Sequence, residues 1–323
     1  MNSPLQQFTD YVYFLPQSDS FESTLSLLRV EIKLMTEKEL EFDLIGFRPY
    51  LVNAIRQTII NDVPTMAIED VYFLKNSSIF NCDYVAQRLA LIPIKAEPNY
   101  FKFLNRSDNQ LNSDNTIIFN LNFSYNEQQQ QQQNSTQPIT VYSENLIWEP
   151  IGEMQKLMSP IKSLFNKIPL VCLKQNEEIS AKIVCIKGVG RTHMKFCPGL
   201  ARYCFNSKID ITNPDAFIDP DMAHKLQKSF PPGVIELKPY GMQLIPYVAN
   251  SRLDRHSRSF KNDEQIEKNI SVKYYRDYMI FSVESYGVIE PKQIVTRALD
   301  ILIYRYNLWK MSIEKAKTMN STK

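Results

Sequence analysis

Glycine is scarce in this chain, with eight residues in 323. Folds built on glycine-rich cofactor loops are disfavoured at that count, since such loops need glycine for tight turns and close backbone approach. Histidine is scarcer still: His193, His224 and His256 are the only three, and they are too dispersed for a metal site. Five cysteines (Cys82, Cys172, Cys185, Cys197 and Cys204) form an odd set with no Cys-x-x-Cys. They read as reduced thiols in a cytosolic or nuclear protein, and no zinc site is expected, since structural zinc needs four ligands at recognisable spacing. No apolar run approaches roughly 18 residues, so no transmembrane helix is expected. The start, MNSPLQQFTDYVYFLPQSDS, lacks the basic and apolar regions of a signal peptide. Without one, the sequons at Asn76 and Asn134 read as chance in an Asn-rich chain. A formal net charge of +2 gives no global reason to wrap nucleic acid or sit on an anionic membrane.

What is present is an ordinary globular composition, 44% apolar and 22% charged, in a chain long enough for two domains. Alternation at Leu28, Val30, Ile32 and Leu34 reads as a half-buried strand, and Leu40, Phe42 and Leu44 repeat the pattern. A helix is expected from about Pro49 to Asn61, with Val52, Ile55 and Ile59 on one stripe and Pro64 closing it. Strand composition returns from Thr65 to Phe73, followed by a turn at Asn76-Ser77-Ser78 and a short helix from Asp83 to Leu91. Asn105 to Pro138 is rich in Asn, Ser and Gln and includes Gln128 to Gln133; it reads as a disordered loop. Strands follow at Ile139 to Val141 and at Glu178 to Lys187. A polar helix is expected near Asp221 to Ser229, then strands at Val234 to Leu237 and Tyr278 to Ser285. A last helix starts at Pro291, a favoured first-turn residue. On it Val295, Leu299, Leu302, Tyr306, Trp309 and Ile313 recur at steps of four and three, a helix-pairing seam. Ile294, Ala298, Ile301 and Leu308 widen the seam into a band broad enough for part of it to meet another chain.

Few constellations point to chemistry. Lys187-Gly188-Val189-Gly190-Arg191 has the look of a phosphate loop, but its third glycine is replaced by His193 and no Lys-Ser pair follows. It reads as a strand-ending turn. His193 and Cys197 have the spacing of a base and a nucleophile, yet nothing supplies an orienting carboxylate or oxyanion donors. Arg252, Arg255, His256 and Arg258 form a basic patch tempered by Asp254. The first reading of such a patch is a solvated face, and the second is contact with an acidic partner or phosphates. A long, well-patterned chain so poor in reactive groups suggests binding rather than catalysis.

The stretch from Asp43 to Pro98 carries an ordered set of motifs: Asn53-Ala54-Ile55-Arg56, Val63-Pro64, Val71-Tyr72-Phe73, Asn76-Ser77-Ser78 and Arg88-Leu89-Ala90-Leu91-Ile92-Pro93. This order resembles the alpha-type subunits of cellular RNA polymerases. The resemblance continues through IKGVGRTHMKFCPG, PPGVIEL, VANSRLDRHSR and RDYMIFSVESYGVIEP, and spans roughly residues 23 to 313. The late blocks look most like the branch shared by RNA polymerases I and III. The polymerase II branch typically carries a zinc-binding cysteine cluster after the region matching Leu91-Ile92-Pro93, and this chain has no cysteine between Cys82 and Cys172. Gln57, Gln87 and Ala90 depart from the family pattern of Arg, His and Gly.

The resemblance implies an α+β fold of the RNA polymerase alpha type, with a discontinuous dimerisation domain (21–62 plus 230–323) and an inserted mixed β domain (63–229). It implies a non-catalytic assembly subunit without cofactor, catalytic residue or metal. The subunit would heterodimerise with a smaller alpha-like partner and form the platform for the two largest polymerase subunits, beside other small ones. Nucleic acid would be met only indirectly through the complex, no membrane is implied, and the location would be the nucleus including the nucleolus. The implied interface comprises Val52, Asn53, Ile55, Arg56, Ile59, Arg88, Val295, Leu299, Ile301, Leu302, Tyr306 and Trp309. The corresponding subunit of polymerase II is the alternative.

Overall fold

The computed structural model describes residues 11–15, 25–105, 111–125, 138–154, 158–241 and 243–321. Two compact units emerge, each made of three separated segments. The first takes in Met1–Met35, Leu40–Ala54 and Arg202–Ser282, and the second Thr36–Glu39, Ile55–Ala201 and Val283–Lys323.

The first unit is built on a five-stranded sheet. Its strands are β1 (Tyr11–Val12), β2 (Arg29–Met35), β3 (Glu39–Ile45), β12 (Gly199–Ile211) and β15 (Ile270–Ser285). The order is β1-β15-β3-β2, with β12 also pairing β15. Leu40, Phe42 and Leu44 of β3 are buried, as their alternation requires. The edge strand β2 differs from expectation: all seven of its residues are exposed, including Val30 at 56% and Ile32 at 61%. Alternation reports which strand face is apolar and carries no information on whether anything covers it. A hairpin of β13 (Ile235–Tyr240) and β14 (Gln243–Val248) and two helices, α3 (Pro220–Lys228) and α4 (Glu264–Asn269), complete this unit. Its core gathers Phe217, Leu226, Phe230, Val234, Phe260 and Ile266.

The second unit centres on a four-stranded antiparallel sheet in the order β4-β11-β6-β8. Its strands are β4 (Pro64–Asn76), β6 (Thr116–Ser124), β8 (Leu146–Glu149) and β11 (Glu178–Val189). Two small pairs accompany it: β5 (Ile94–Lys95) with β9 (Lys162–Ser163), and β7 (Ile139–Tyr142) with β10 (Pro169–Leu173). Ile179, Ala181, Ile183 and Cys185 of β11 enter the main core beside Phe119 and Leu89. Val184 and Ile186 join a smaller cluster with Ala67 and Phe196. Successive side chains leave a strand on opposite faces, so β11 is covered on both.

Strand β6 corrects the expected disordered loop over 105–138. Within that polar stretch, Ile117, Phe119 and Leu121 alternate with residues facing the other way and are fully buried. Three apolar side chains on one face are enough to hold a strand against β11, whatever the mean composition around them. Gln128 to Gln133 and Asn134 lie outside the described residues.

Helix α1 spans Pro49–Asn61 as expected. Helix α2 (Cys82–Ala90) starts at Asn81, whose side chain accepts from the Asp83 N–H at 2.7 Å. The last helix, α5, is the longest and runs over Pro291–Ser321.

Candidate subunit interface

The second unit holds α5 by its first half. Pro291 is buried, and Ile294 and Ala298 are wholly inaccessible. Arg297 places one terminal nitrogen 2.8 and 2.9 Å from the two Glu97 carboxylate oxygens. Just over two turns later, Arg305 reaches Asp62, next after the end of α1, at 2.6 Å. Asp62 also accepts from Arg191 at 2.9 Å, so one carboxylate gathers two guanidinium groups. That position pins the last anchored turn.

Beyond Arg305 the helix continues with no cover among the described residues. Tyr306 is 64% exposed, Trp309 73%, Met311 54% and Ile313 57%. Ile303 and Tyr304, just before Arg305, and Leu308 after it are exposed as well. At about 100° per residue these side chains surround most of the helix circumference. A helix that is apolar nearly all round is normally buried. From Ile303 to Ile313 the patch is about 15 Å long, larger than scattered exposed leucines would make it. An unpartnered apolar helix projecting from a well-packed unit defines a protein built to associate.

The expected interface residues separate into groups. Val52 and Ile59 are wholly buried within the chain and serve its own packing. Asn53, Ile55 and Arg56 are half-buried on α1, where Tyr50 and Leu51 are the exposed apolar residues. Arg88 is also half-buried and turns inward, its Nε donating to the Pro169 carbonyl at 3.0 Å and tying α2 to β10. Val295, Ile301 and Leu302 are half-buried, whereas Leu299, Tyr306 and Trp309 are exposed. Sequence reasoning missed Ile303, Tyr304 and Met311, which lie off the step-of-four-and-three seam. Their signal was the spread of apolar residues around the helix, which Arg305, Asn307, Lys310 and Ser312 interrupt without forming one broad polar face.

The groups with chemical promise are otherwise employed. Cys197 is 5% exposed and donates to the Gly199 carbonyl at 3.0 Å, while the His193 ring nitrogen Nδ1 accepts from the Lys195 N–H. Burial holds the Cys197 thiol above its ordinary pKa, the opposite of an activated nucleophile. The glycines of Lys187–Arg191 serve close packing. A Cβ at Gly188 would lie 2.6 Å from the Phe196 ring, and one at Gly190 would lie 1.9 Å from the Ile60 carbonyl oxygen. The basic patch is not one solvated face: Arg252 turns inward to Glu41 and Asp43, and Asp254 is buried. Among the described residues no group of three or more His, Cys, Asp or Glu is placed to hold a metal ion. No helix among them is long and apolar enough to cross a membrane.

A family model described as the RNA polymerase Rpb3/Rpb11 dimerisation domain matches residues 41–305. The chain belongs to this RNA polymerase dimerisation-domain family. It is similar to the human DNA-directed RNA polymerases I and III subunit RPAC1, with 33% identity over 294 residues, 88% of this chain and 83% of the relative. Similarity to RPAC1 of Saccharomyces cerevisiae is 32% over 285 residues, covering 84% of each chain. The archaeal DNA-directed RNA polymerase subunit Rpo3 of Methanobrevibacter smithii is 27% identical over 285 residues, 85% of this chain and 94% of the relative.

Proposed function

We propose that this chain is a non-catalytic assembly subunit of RNA polymerases I and III, acting in the nucleus and nucleolus. It heterodimerises with a smaller alpha-like subunit, and the pair forms the platform for the two largest subunits, beside other small ones. The observation that carries the reading is the bare apolar second half of α5 in a chain of a dimerisation family. Obligate interfaces commonly bury on the order of 2,000 Å² or more and are largely apolar. On this reading the dimerisation domain comprises 21–62 plus 230–323, with 63–229 inserted. Leu299, Tyr306 and Trp309 of the expected set, joined by Ile303, carry the contact on α5. Half-buried Asn53, Ile55, Arg56, Val295, Ile301 and Leu302 flank it and Val52 and Ile59 support it from within, while Arg88 holds α2 to β10 inside the inserted region.

The resemblance in the late blocks and the names of the relatives favour polymerases I and III over II. Mass spectrometry of proteins co-purifying with the tagged full chain tests this directly. The expected result is the large subunits of both polymerases I and III with a smaller alpha-like chain. Recovery of polymerase II large subunits in their place, or of no polymerase subunit, would overturn it.

A further inference from the structure

Within the first unit, the 250–258 segment closes over a cavity of about 820 Å³. Several of its charges are already committed. Arg252 donates to Asp43 at 3.0 and 3.2 Å and to Glu41. Asp254, 4% exposed, accepts from the Ser207 hydroxyl at 2.6 Å and from the His256 N–H at 3.1 Å. His256 is held at a φ of 58°, a conformation non-glycine residues seldom adopt, with Nε2 2.7 Å from the Phe205 carbonyl oxygen. These bonds fix the loop before any ligand arrives.

Three groups remain uncommitted. Arg202 and Arg255 line the cavity, and neither is in an ion pair among the described residues. Ser282 lines it too, and its buried hydroxyl has no hydrogen-bond partner among the described residues. A buried polar atom without a partner costs free energy that a ligand can recover. Pro231, Pro232 and Ile280 supply apolar lining beside these polar groups.

Two exposed guanidinium groups outside any described ion pair, lining one cavity with an unsatisfied hydroxyl, suit an anion, and a carboxylate meets an arginine fork in two parallel bonds. A polyphosphate backbone fits poorly, because Glu41 and Asp254 share the lining and would repel successive phosphates. We propose that this cavity receives a carboxylate-bearing segment of a partner polypeptide, paired by Arg202 and Arg255 and hydrogen-bonded by Ser282. The proposal rests on the assembly reading above, which supplies a setting in which such a segment is presented.

Leu253 lines the cavity and is 42% exposed, so a photo-crosslinking residue placed there reports the occupant. The tagged full chain carrying it is purified from cells as the polymerase complex and irradiated. The expected product joins the cavity to a segment of another polymerase subunit containing Asp, Glu or a C-terminal carboxylate. Adding R202E/R255E lowers that crosslink about tenfold, the factor expected for losing a charge-assisted pair, while R202K/R255K retains most of it. If the reversal variant misfolds, R202Q/R255Q reads the same loss without reversing charge. A crosslink to nucleic acid, a crosslink insensitive to these substitutions, or none within an intact complex would overturn the cavity's assignment alone. Absence of polymerase subunits from the unsubstituted preparation would overturn the assembly reading with it.

Discussion

Trp309 offers the sharpest test of the bare helix. It is 73% exposed on the unanchored part of α5. A tryptophan covered at an interface hides on the order of 200 Å², so covering roughly three quarters of it removes ~150 Å² from water. At ~25 cal/mol per Å² this is about 4 kcal/mol, from which ordering the side chain subtracts about 1 kcal/mol. If the proposed heterodimer uses this face, Trp309→Ala weakens binding of the smaller alpha-like subunit by ~3 kcal/mol, roughly a hundredfold. Isothermal titration calorimetry of the purified chains measures the difference. Since Trp309 contacts solvent in the isolated chain, the same substitution shifts its own unfolding by no more than ~0.5 kcal/mol. The only other tryptophan is Trp148. In a Trp148→Phe background Trp309 becomes the sole indole, and its emission shifts to shorter wavelength as the partner covers it. An affinity within twofold of the parent, or an emission maximum that does not move on saturation, would refute the assignment of this face.

Three further outcomes follow from packing and charge inside the two units. Asp43 is fully buried and accepts from Arg252 and, at 2.9 Å, from the Tyr278 hydroxyl. Asp43→Ala strands both donors, and a cost of ~3–5 kcal/mol is expected in urea titration; a loss under ~1 kcal/mol would show that the network contributes little. At Gly190, alanine must displace the Ile60 carbonyl, so Gly190→Ala destabilises by at least ~1–3 kcal/mol; an unchanged melting temperature would mean that the turn does not pack on α1. Burial, followed by the hydrogen bond to Asp43, raises the Tyr278 pKa above its ordinary value. The fold thus favours the neutral phenol, and the unfolded chain releases that proton first as pH rises. The contribution is complete below the unfolded value of about 10 and is lost as pH climbs from there through the folded value. Tyr278→Phe should flatten that alkaline decline in urea midpoints, and an identical slope in both proteins would exclude Tyr278 as its source.

Local pattern made much of the fold legible. Helix α1 over Pro49–Asn61 and the first residue of α5 match the 3.6-residue periodicity and the proline that opens each helix. Strand β11 was visible because Ile179, Ala181, Ile183 and Cys185 alternate. Strand β6 was hidden because its inward residues are set among asparagines, and composition over a 34-residue window outweighed a nine-residue alternation. Strand β12 was missed for a related reason: Gly199–Ile211 mixes Arg202, Tyr203, Asn206 and Lys208 with few strong apolar residues, and pairing with β15 makes it a strand. Such pairings join residues some 70 apart, which no local window reports.

The candidate interface shows the same limit from the other side. Periodicity marked a broad apolar band on α5 but could not divide it, since Ile294 and Trp309 are equally apolar letters. The division comes from four charged residues in two pairs. Arg297 fastens to Glu97 and Arg305 to Asp62, and each ion pair seats its turn against the second unit. Both of these ion pairs fall at or before Arg305. Ile294 and Ala298 of the first turns are spent on the chain's own core, exposure begins with Leu299, Ile303 and Tyr304, and Tyr306, Leu308, Trp309, Met311 and Ile313 after Arg305 remain exposed. In sequence Asp62 closes α1 and stands next to the Val63-Pro64 step, with nothing to mark it as the residue that sets where α5 leaves its unit. Neutralising it with Asp62→Asn would weaken the hold on Arg305 and Arg191 together, loosening the base from which the exposed turns project. The position that divides fold from interface is therefore a carboxylate that belongs to neither apolar pattern.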